Sequence, residues 1–235
     1  PVIMALIVIW VIFALINPAF LSPRNLTTLS VQIVNTGIMA IGLFLVLLHG
    51  ELDLSCAATS AVSASVAAMV CVIYEMPFIA GFLACLATGV VIGAIQGWIV
   101  TNFNAPAFII TLGSQMVLEG LLLIILKEHN QISVMGTPLG MFTNTYIPDS
   151  VSVIILAAAI VFLFFLFYGN HKQALKNNLK SSMSKNVVIP IAGIAVAGAV
   201  VLRVMHAYRG LNLSVLLLLA LLALFSFILL ETKFG

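Results

Sequence analysis

Charge is scarce in this sequence. Of 235 residues, 7% are Asp, Glu, Lys or Arg and 63% are hydrophobic, with a mean hydropathy of +1.27, whereas a water-soluble domain carries about 25% charged residues. That excludes a water-solvated surface over most of the chain. The net charge of +2 is spread too thinly to form a basic face for nucleic acid. Cysteine is rare too: Cys56, Cys71 and Cys85 lie in apolar stretches without CxxC or Cys/His spacing, and they read as small packing residues. His49, His129, His171 and His206 make no HExxH or other paired ligand spacing, so no metal site is expected. No GxxxxGK[ST] run is present to hold a nucleotide phosphate, and no catalytic residue or cofactor site emerges.

What the sequence has in abundance is long apolar runs. A bilayer core about 30 Å thick takes roughly 20 apolar residues per helix. About eight such stretches follow one another, at roughly 1–16, 27–48, 54–73, 77–100, 106–126, 151–168, 187–205 and 211–230. The pattern predicts an all-α, polytopic transmembrane bundle of about eight helices, with residues 1–235 forming one transmembrane domain that is incomplete at both ends. A signal peptide over the first stretch fits poorly, because Asn17-Pro18-Ala19-Phe20 is no small-residue cleavage site. Pro77 and Pro106 stand where a first helical turn tolerates a missing amide hydrogen and fix two boundaries.

Orientation follows from residues 169–186, a basic cytoplasmic loop holding His171, Lys172, Lys176, Lys180 and Lys185 and no acid. Counting from it puts 127–150, 74–76 and 17–26 outside and 101–105 and Lys233 inside, with Arg24 and Arg209 as exceptions on the outer side. Within the loop, Lys172, Lys176 and Lys180 repeat every four residues beside Leu175, Leu179 and Met183. Either a short helix lies on the inner headgroups, or an unstructured loop uses its lysines to set topology.

Several residues stand out against this apolar background. Gly81, Cys85, Gly89, Gly93 and Gly97 recur at every fourth position, a small-residue face that lets helix backbones approach; Ser55, Ala57, Ala58, Ser60, Ala61, Ala64, Ser65 and Ala68 supply a partner face. Polar stripes run through Thr28, Gln32 and Asn35 and through Thr111, Gln115 and Glu119. A carboxylate at helix centre costs about 3 kcal/mol on insertion scales. Glu119 therefore faces a water-filled cavity, a cation or another helix, and interhelical hydrogen bonding without any solute is the plain alternative for both stripes. The densest polar run is Glu51-Leu52-Asp53-Leu54-Ser55 after Gly50. Asp53 or Ser55 can cap the helix that follows, and a helix break at membrane depth is tolerated only where it is buried in protein or lines a cavity. Glu51 and Asp53, two apart, do not face one another on a helix and are no catalytic carboxylate pair.

From Asn25 to Ser55 the runs NLTTL, GIMAIGLFLVLLHG and ELDLS resemble the signature region of permease subunits in bacterial ABC importers for monosaccharides, the ribose and xylose type. GAIQGWIV and APAFIITLG (Gly93 to Gly113) resemble the next signature, and YRGLNLSVLLLLALLALFSFILLETKFG (Tyr208 to Gly235) resembles a segment of the longer, xylose-like branch. The resemblance implies an N-terminal piece of a translocation subunit in the bacterial inner membrane. Its implied partners are a second permease copy, cytoplasmic ATPase subunits and an extracytoplasmic sugar-binding protein, which accounts for the missing nucleotide motif. It carries Gly50, Asp53, Ser55 and Thr111 over as pathway or scaffold residues; Gln32, Asn35, Glu51, Gln115 and Glu119 are candidates from the polar pattern alone. This chain departs at Cys56-Ala57, where the family has Val-Gly, and at Glu119, near which the family places Arg. Two other classes stay open, a proton- or ion-coupled secondary transporter using Glu51, Asp53 or Glu119, and a degenerate scaffolding subunit. Nucleosides, inositol and signalling sugars stay open as cargo. Reading the coding sequence beyond Gly235 tests the resemblance: a Gly-rich basic loop followed by further membrane helices is expected, and a stop codon there points to the degenerate subunit.

Overall fold

The computed structural model describes residues 2–127, 131–176 and 182–231. All eight apolar stretches are helical. Helix α1 (Val2–Ile16) ends at Asn17, whose Oδ1 accepts the Ala19 amide at 3.0 Å and starts a 3-10 turn over Pro18–Leu21. Ser22 Oγ then takes the Asn25 amide at 3.4 Å and Pro23 opens α2 (Pro23–Leu48), four residues before the expected start at 27. The polar residues of that first turn hid it from an apolar count. In the structure Thr27 and Thr28 donate their hydroxyls to Pro23 O and Arg24 O of their own helix.

Helix α3 (Cys56–Ala68) runs on as a π turn over Met69–Ile73, and a tight bend with Glu75 at φ +50° leads to α4 (Phe78–Phe103). Asn104 in the left-handed conformation ends α4, and Pro106 precedes α5 (Ala107–Leu126). Both proline boundaries lie within one residue of expectation. Next come the short α6 (Pro138–Asn144), strand β1 (Tyr146–Ile147) and α7 (Asp149–Lys176). A π turn over Ser184–Val188 enters α8 (Ile189–His206), and β2 (Leu211–Asn212) leads into α9 (Leu213–Glu231). Among the described residues six helices are long and apolar enough to cross a membrane; α1 and the described part of α9 are shorter. Neither α6 nor the two-stranded ribbon was foreseen, since elements of two to seven residues leave no period to detect.

Helix α7 continues eight residues past the expected end at 168. The first part of the basic break therefore extends a membrane helix and is neither a separate surface helix nor an unstructured loop, because Gln173, Ala174, Leu175 and Lys176 are strong helix formers. Leu179 and Lys180, like His129 and Lys233, lie outside the described residues.

The chain divides into two compact units. One comprises residues 1–33 and 145–216, the other 34–144 and 217–235. In the first, α7 packs on α8, and Leu202, Met205 and Leu211 form a buried cluster with Leu156, Val215 and Leu216 against it. The ribbon pairs Tyr146 with Asn212 and Ile147 with Leu211. Gly210, at φ +91°, makes the turn into β2, where a Cβ would stand 2.9 Å from Ile147 O. At this end Ser152, 1% exposed, donates its hydroxyl to Asp149 O at 2.8 Å, so its oxygen accepts from His206 Nε2 at 2.7 Å. Asp149 Oδ1 lies 3.5 Å from the same nitrogen. A nucleophilic triad needs the carboxylate and the hydroxyl on opposite ring nitrogens, so this Ser, His and Asp form a clasp between helices.

In the second unit α3 packs against both α4 and α5, with Ala58, Val62 and Leu118 buried together and Ile92, Leu122 and Ile125 around them. The small-residue face of α4 meets α3 at one end only. A Cβ on Gly81 would overlap Cys71 Sγ and approach Ala67 O to 3.2 Å, and one on Gly89 would lie 3.8 Å from Ser63 Oγ. At Gly93 and Gly97 a Cβ would meet no described atom within 4 Å. Gly81→Ala is expected to destabilise the detergent-purified protein by about 1–3 kcal/mol through overpacking, and adding Cys71→Ala should restore most of it. Gly93→Ala should leave the melting temperature unchanged or raised.

Candidate functional site at the broken helix

Between α2 and α3 the chain leaves the helix for residues 49–55. Gly50, at φ +78°, turns the backbone where a Cβ would be strained. The backbone groups released by this break need partners, because lipid provides none. Side chains provide them. Ser55 gives both its amide (2.8 Å) and its hydroxyl (2.7 Å) to Asp53 Oδ1. Thr111 Oγ1, one turn into α5, accepts the Leu54 amide at 3.2 Å and shares its proton between Leu52 O and Phe108 O, each at 3.3 Å. Gln96 Nε2, from α4, donates to Ser55 Oγ at 2.8 Å. Ser55 is fully buried, Thr111 is buried, and Asp53 is half-buried.

At 1.5 Å of rise per residue, Thr111 and Gln96 lie roughly 6 and 10 Å inward from the turn joining α4 to α5. The segment Leu52–Ser55 is thus drawn into the three-helix packing, about two turns from its end. Its polar groups meet there in a medium of low dielectric, where each satisfied bond is strong and each unsatisfied group is costly.

Asp53, Ser55 and Thr111, singled out from the sequence, come together here. Gln96 joins them unforeseen. Its only signal was being the lone polar residue between Thr88 and Thr101 of an apolar helix. Gly50 and Glu51 belong to the same break but are exposed. Gln115 and Glu119 stay apart from the cluster: Gln115 Nε2 donates to Glu119 Oε1 at 2.8 Å, one turn along α5, with Glu119 exposed. Gln32 and Asn35 are exposed on α2. Among the described residues no group of three or more His, Cys, Asp or Glu could hold a metal ion. Two open clefts, of about 490 and 420 Å³, are lined by Phe13, Phe20, Arg24 and neighbours and by Ala64, Leu126, Gln131 and neighbours; neither includes a residue of the cluster.

The first unit repeats the capping device. Asn212 Oδ1 accepts the Ser214 amide at 2.9 Å and the Ser214 hydroxyl at 2.6 Å, at the start of α9. Leu52-Asp53-Leu54-Ser55 and Leu211-Asn212-Leu213-Ser214 thus make the same two bonds, one with a carboxylate and one with an amide.

Apolar spans and a broken helix satisfied by buried side chains define a polytopic helical membrane protein. The family model described as branched-chain amino acid transport system / permease component matches residues 25–235, and the chain belongs to that family. It is similar to the xylose transport system permease protein of Haemophilus influenzae, 30% identical over 221 residues covering 92% of this chain and 58% of the relative. The xylose transport system permease protein of Escherichia coli K12 is 33% identical, covering 92% and 55%. The ribose import permease protein of Bacillus subtilis is 32% identical, covering 87% and 68%. The chain spans a little over half the length of the two xylose relatives. No solved structure matches it.

Thr111→Val keeps the shape of the side chain and strands the Leu54 amide and the Leu52 carbonyl. It is expected to lower stability by about 1–3 kcal/mol, while Thr111→Ser stays near wild type; thermal unfolding in detergent measures both.

Proposed function

We propose that this chain is the translocation subunit of an ATP-driven monosaccharide importer in the bacterial inner membrane. It works as a pair of permease copies with separate cytoplasmic ATPase subunits and an extracytoplasmic sugar-binding protein. The observation that carries the reading is identity of 30–33% to xylose permeases across 92% of the chain, including the broken helix. The family description names branched-chain amino acids; the relatives' names, xylose and ribose, favour a sugar.

In this reading the break at Gly50–Ser55 belongs to the translocation path, near its cytoplasmic end by the charge count. Import then proceeds by a shift between outward and inward states, each favoured by a different set of bound partners. Gln32, Asn35, Gln115 and Glu119 interrupt spans that are otherwise apolar, so they turn to a water-lined path or to the second copy and not to lipid.

The full-length protein, reconstituted in vesicles with its ATPase subunits and binding protein, is expected to take up xylose or ribose only when ATP is supplied. Uptake driven by a proton gradient without ATP, or no uptake of any sugar by a folded, assembled complex, would overturn the reading.

A further inference from the structure

We infer that the bend between α1 and α2 is a binding site for an anionic phospholipid, with the headgroup phosphate on Arg24 and an acyl chain along Trp10 and Phe13. Such a site belongs to the protein's contact with its bilayer and is independent of which solute is carried.

Two apolar stretches meet at this bend. Helix α1 ends at Ile16 and the apolar part of α2 starts at Leu26, so residues 17–25 lie where hydrocarbon gives way to headgroups. A cleft of about 490 Å³ opens there, lined by Phe13 and Phe20 together with polar side chains that include Arg24. Its aromatic part extends beyond the cleft: Phe20 meets Trp10 edge-on with ring centroids 5.4 Å apart and stacks on Phe13 at 5.6 Å. Trp10 and Phe13, three residues apart, share one face of α1, and both are exposed. Aromatic rings beside a cation are the usual furniture of a membrane boundary; here they stand in one concave site.

The neutral polar side chains of the cleft are used to build it. Asn17 Oδ1 accepts the Ala19 amide, Ser22 gives its hydroxyl to Ala19 O at 2.7 Å, Asn25 Nδ2 donates to Phe20 O at 2.7 Å, and Thr28 donates to Arg24 O. The bend is thus tied to its own backbone and holds its shape without a ligand. Arg24 is the exception. Its guanidinium carries five donors and a permanent charge, yet it is exposed and has no hydrogen bond or ion pair with any described residue. The sequence has no Asp or Glu before Glu51, and the one acid in its unit, Asp149, faces His206. On the charge count Arg24 also lies on the outer side, against the bias that orients the rest of the chain. A lipid phosphate answers all of this, because it pairs with the fork of a guanidinium and supplies the missing negative charge. A free anion would leave Trp10 and Phe13 uncovered, whereas a lipid brings the acyl chain that covers them. A zwitterionic headgroup carries its own cation to compete for the phosphate, so the fit is to a lipid of net negative charge.

Trp10 serves as the reporter in the test. The full-length protein is reconstituted in vesicles of equal parts phosphatidylglycerol and phosphatidylcholine, with one lipid or the other brominated on its acyl chains to quench tryptophan fluorescence. The Trp10 signal is the difference between each protein and its Trp10→Phe counterpart. In the wild type phosphatidylglycerol is expected to win the site over phosphatidylcholine by about fivefold, the scale of one basic side chain at a membrane surface. Arg24→Gln is expected to bring that ratio to near one, and Arg24→Lys, which keeps the charge, to retain part of it. The wild-type ratio is also expected to fall as salt is raised to about 1 M, where an exposed ion pair is screened. Equal quenching by the two lipids in wild type overturns the inference and leaves Arg24 to an acidic group of another protein. A preference unchanged in Arg24→Gln overturns it too, since the lipid would then be held elsewhere. If Arg24→Gln fails to fold, the salt series decides: a ratio that does not change with salt overturns the inference. Displacement of the brominated lipid by inorganic phosphate, but not by chloride at the same ionic strength, would show a free-phosphate site and overturn the assignment to lipid.

Discussion

A backbone amide in the interior of a membrane protein has no water to turn to, and the stretch Leu52–Ser55 releases several backbone groups at once. Everything around it is arranged to answer them. Thr111 takes one amide and shares one proton with a carbonyl, Asp53 takes another amide, and Gln96 closes the set through Ser55. Since these bonds reach from the break to α4 and α5, both helices must lie close to α3. Close approach in lipid comes from small residues: Ala58 is buried in the first turn of α3, while Ala67 and Gly81 meet at the other end of that helix. Polar bonds at one end and small-residue packing at the other thus hold α3 to its neighbours.

The chain uses the same cap twice and gives it different chemistry. Asn212 with Ser214 secures the start of α9 with neutral groups, and around it a strand pair, a left-handed glycine and the His206–Ser152 clasp tie the segment down. Asp53 with Ser55 does the same mechanical work at α3 and leaves a carboxylate oxygen over.

Most of the apolar surface stays outside these clusters. Within the chain, the spans α2, α4 and α7 bury only 6% of their most apolar window, while α3 with its π turn buries 28%. Among the described spans α3 is the most enclosed, packed on both α4 and α5 within its unit.

Much of this was legible in the sequence because membrane solvation acts on every residue of a span. Apolar runs located eight helices; Pro77 and Pro106, which cannot continue a preceding helix, located two boundaries to within one residue. Gly50 and the acidic run after it marked the break. Other features were not legible. The extension of α7 to Lys176 was hidden because polarity, which ends a membrane span, does not end a helix. The stripe Thr111, Gln115 and Glu119 looked like one surface, yet only Thr111 reaches the break, while Gln115 and Glu119 bond to each other. Gln96 showed no pattern, since a residue 41 positions from its partner becomes significant only when folding brings the two together. Local composition and periodicity, which depend on solvent and chain geometry alone, determined the class of protein and the position of the break. Which polar side chains complete that break was decided by the tertiary structure, because a hydrogen bond depends on distance and direction between residues far apart in the chain.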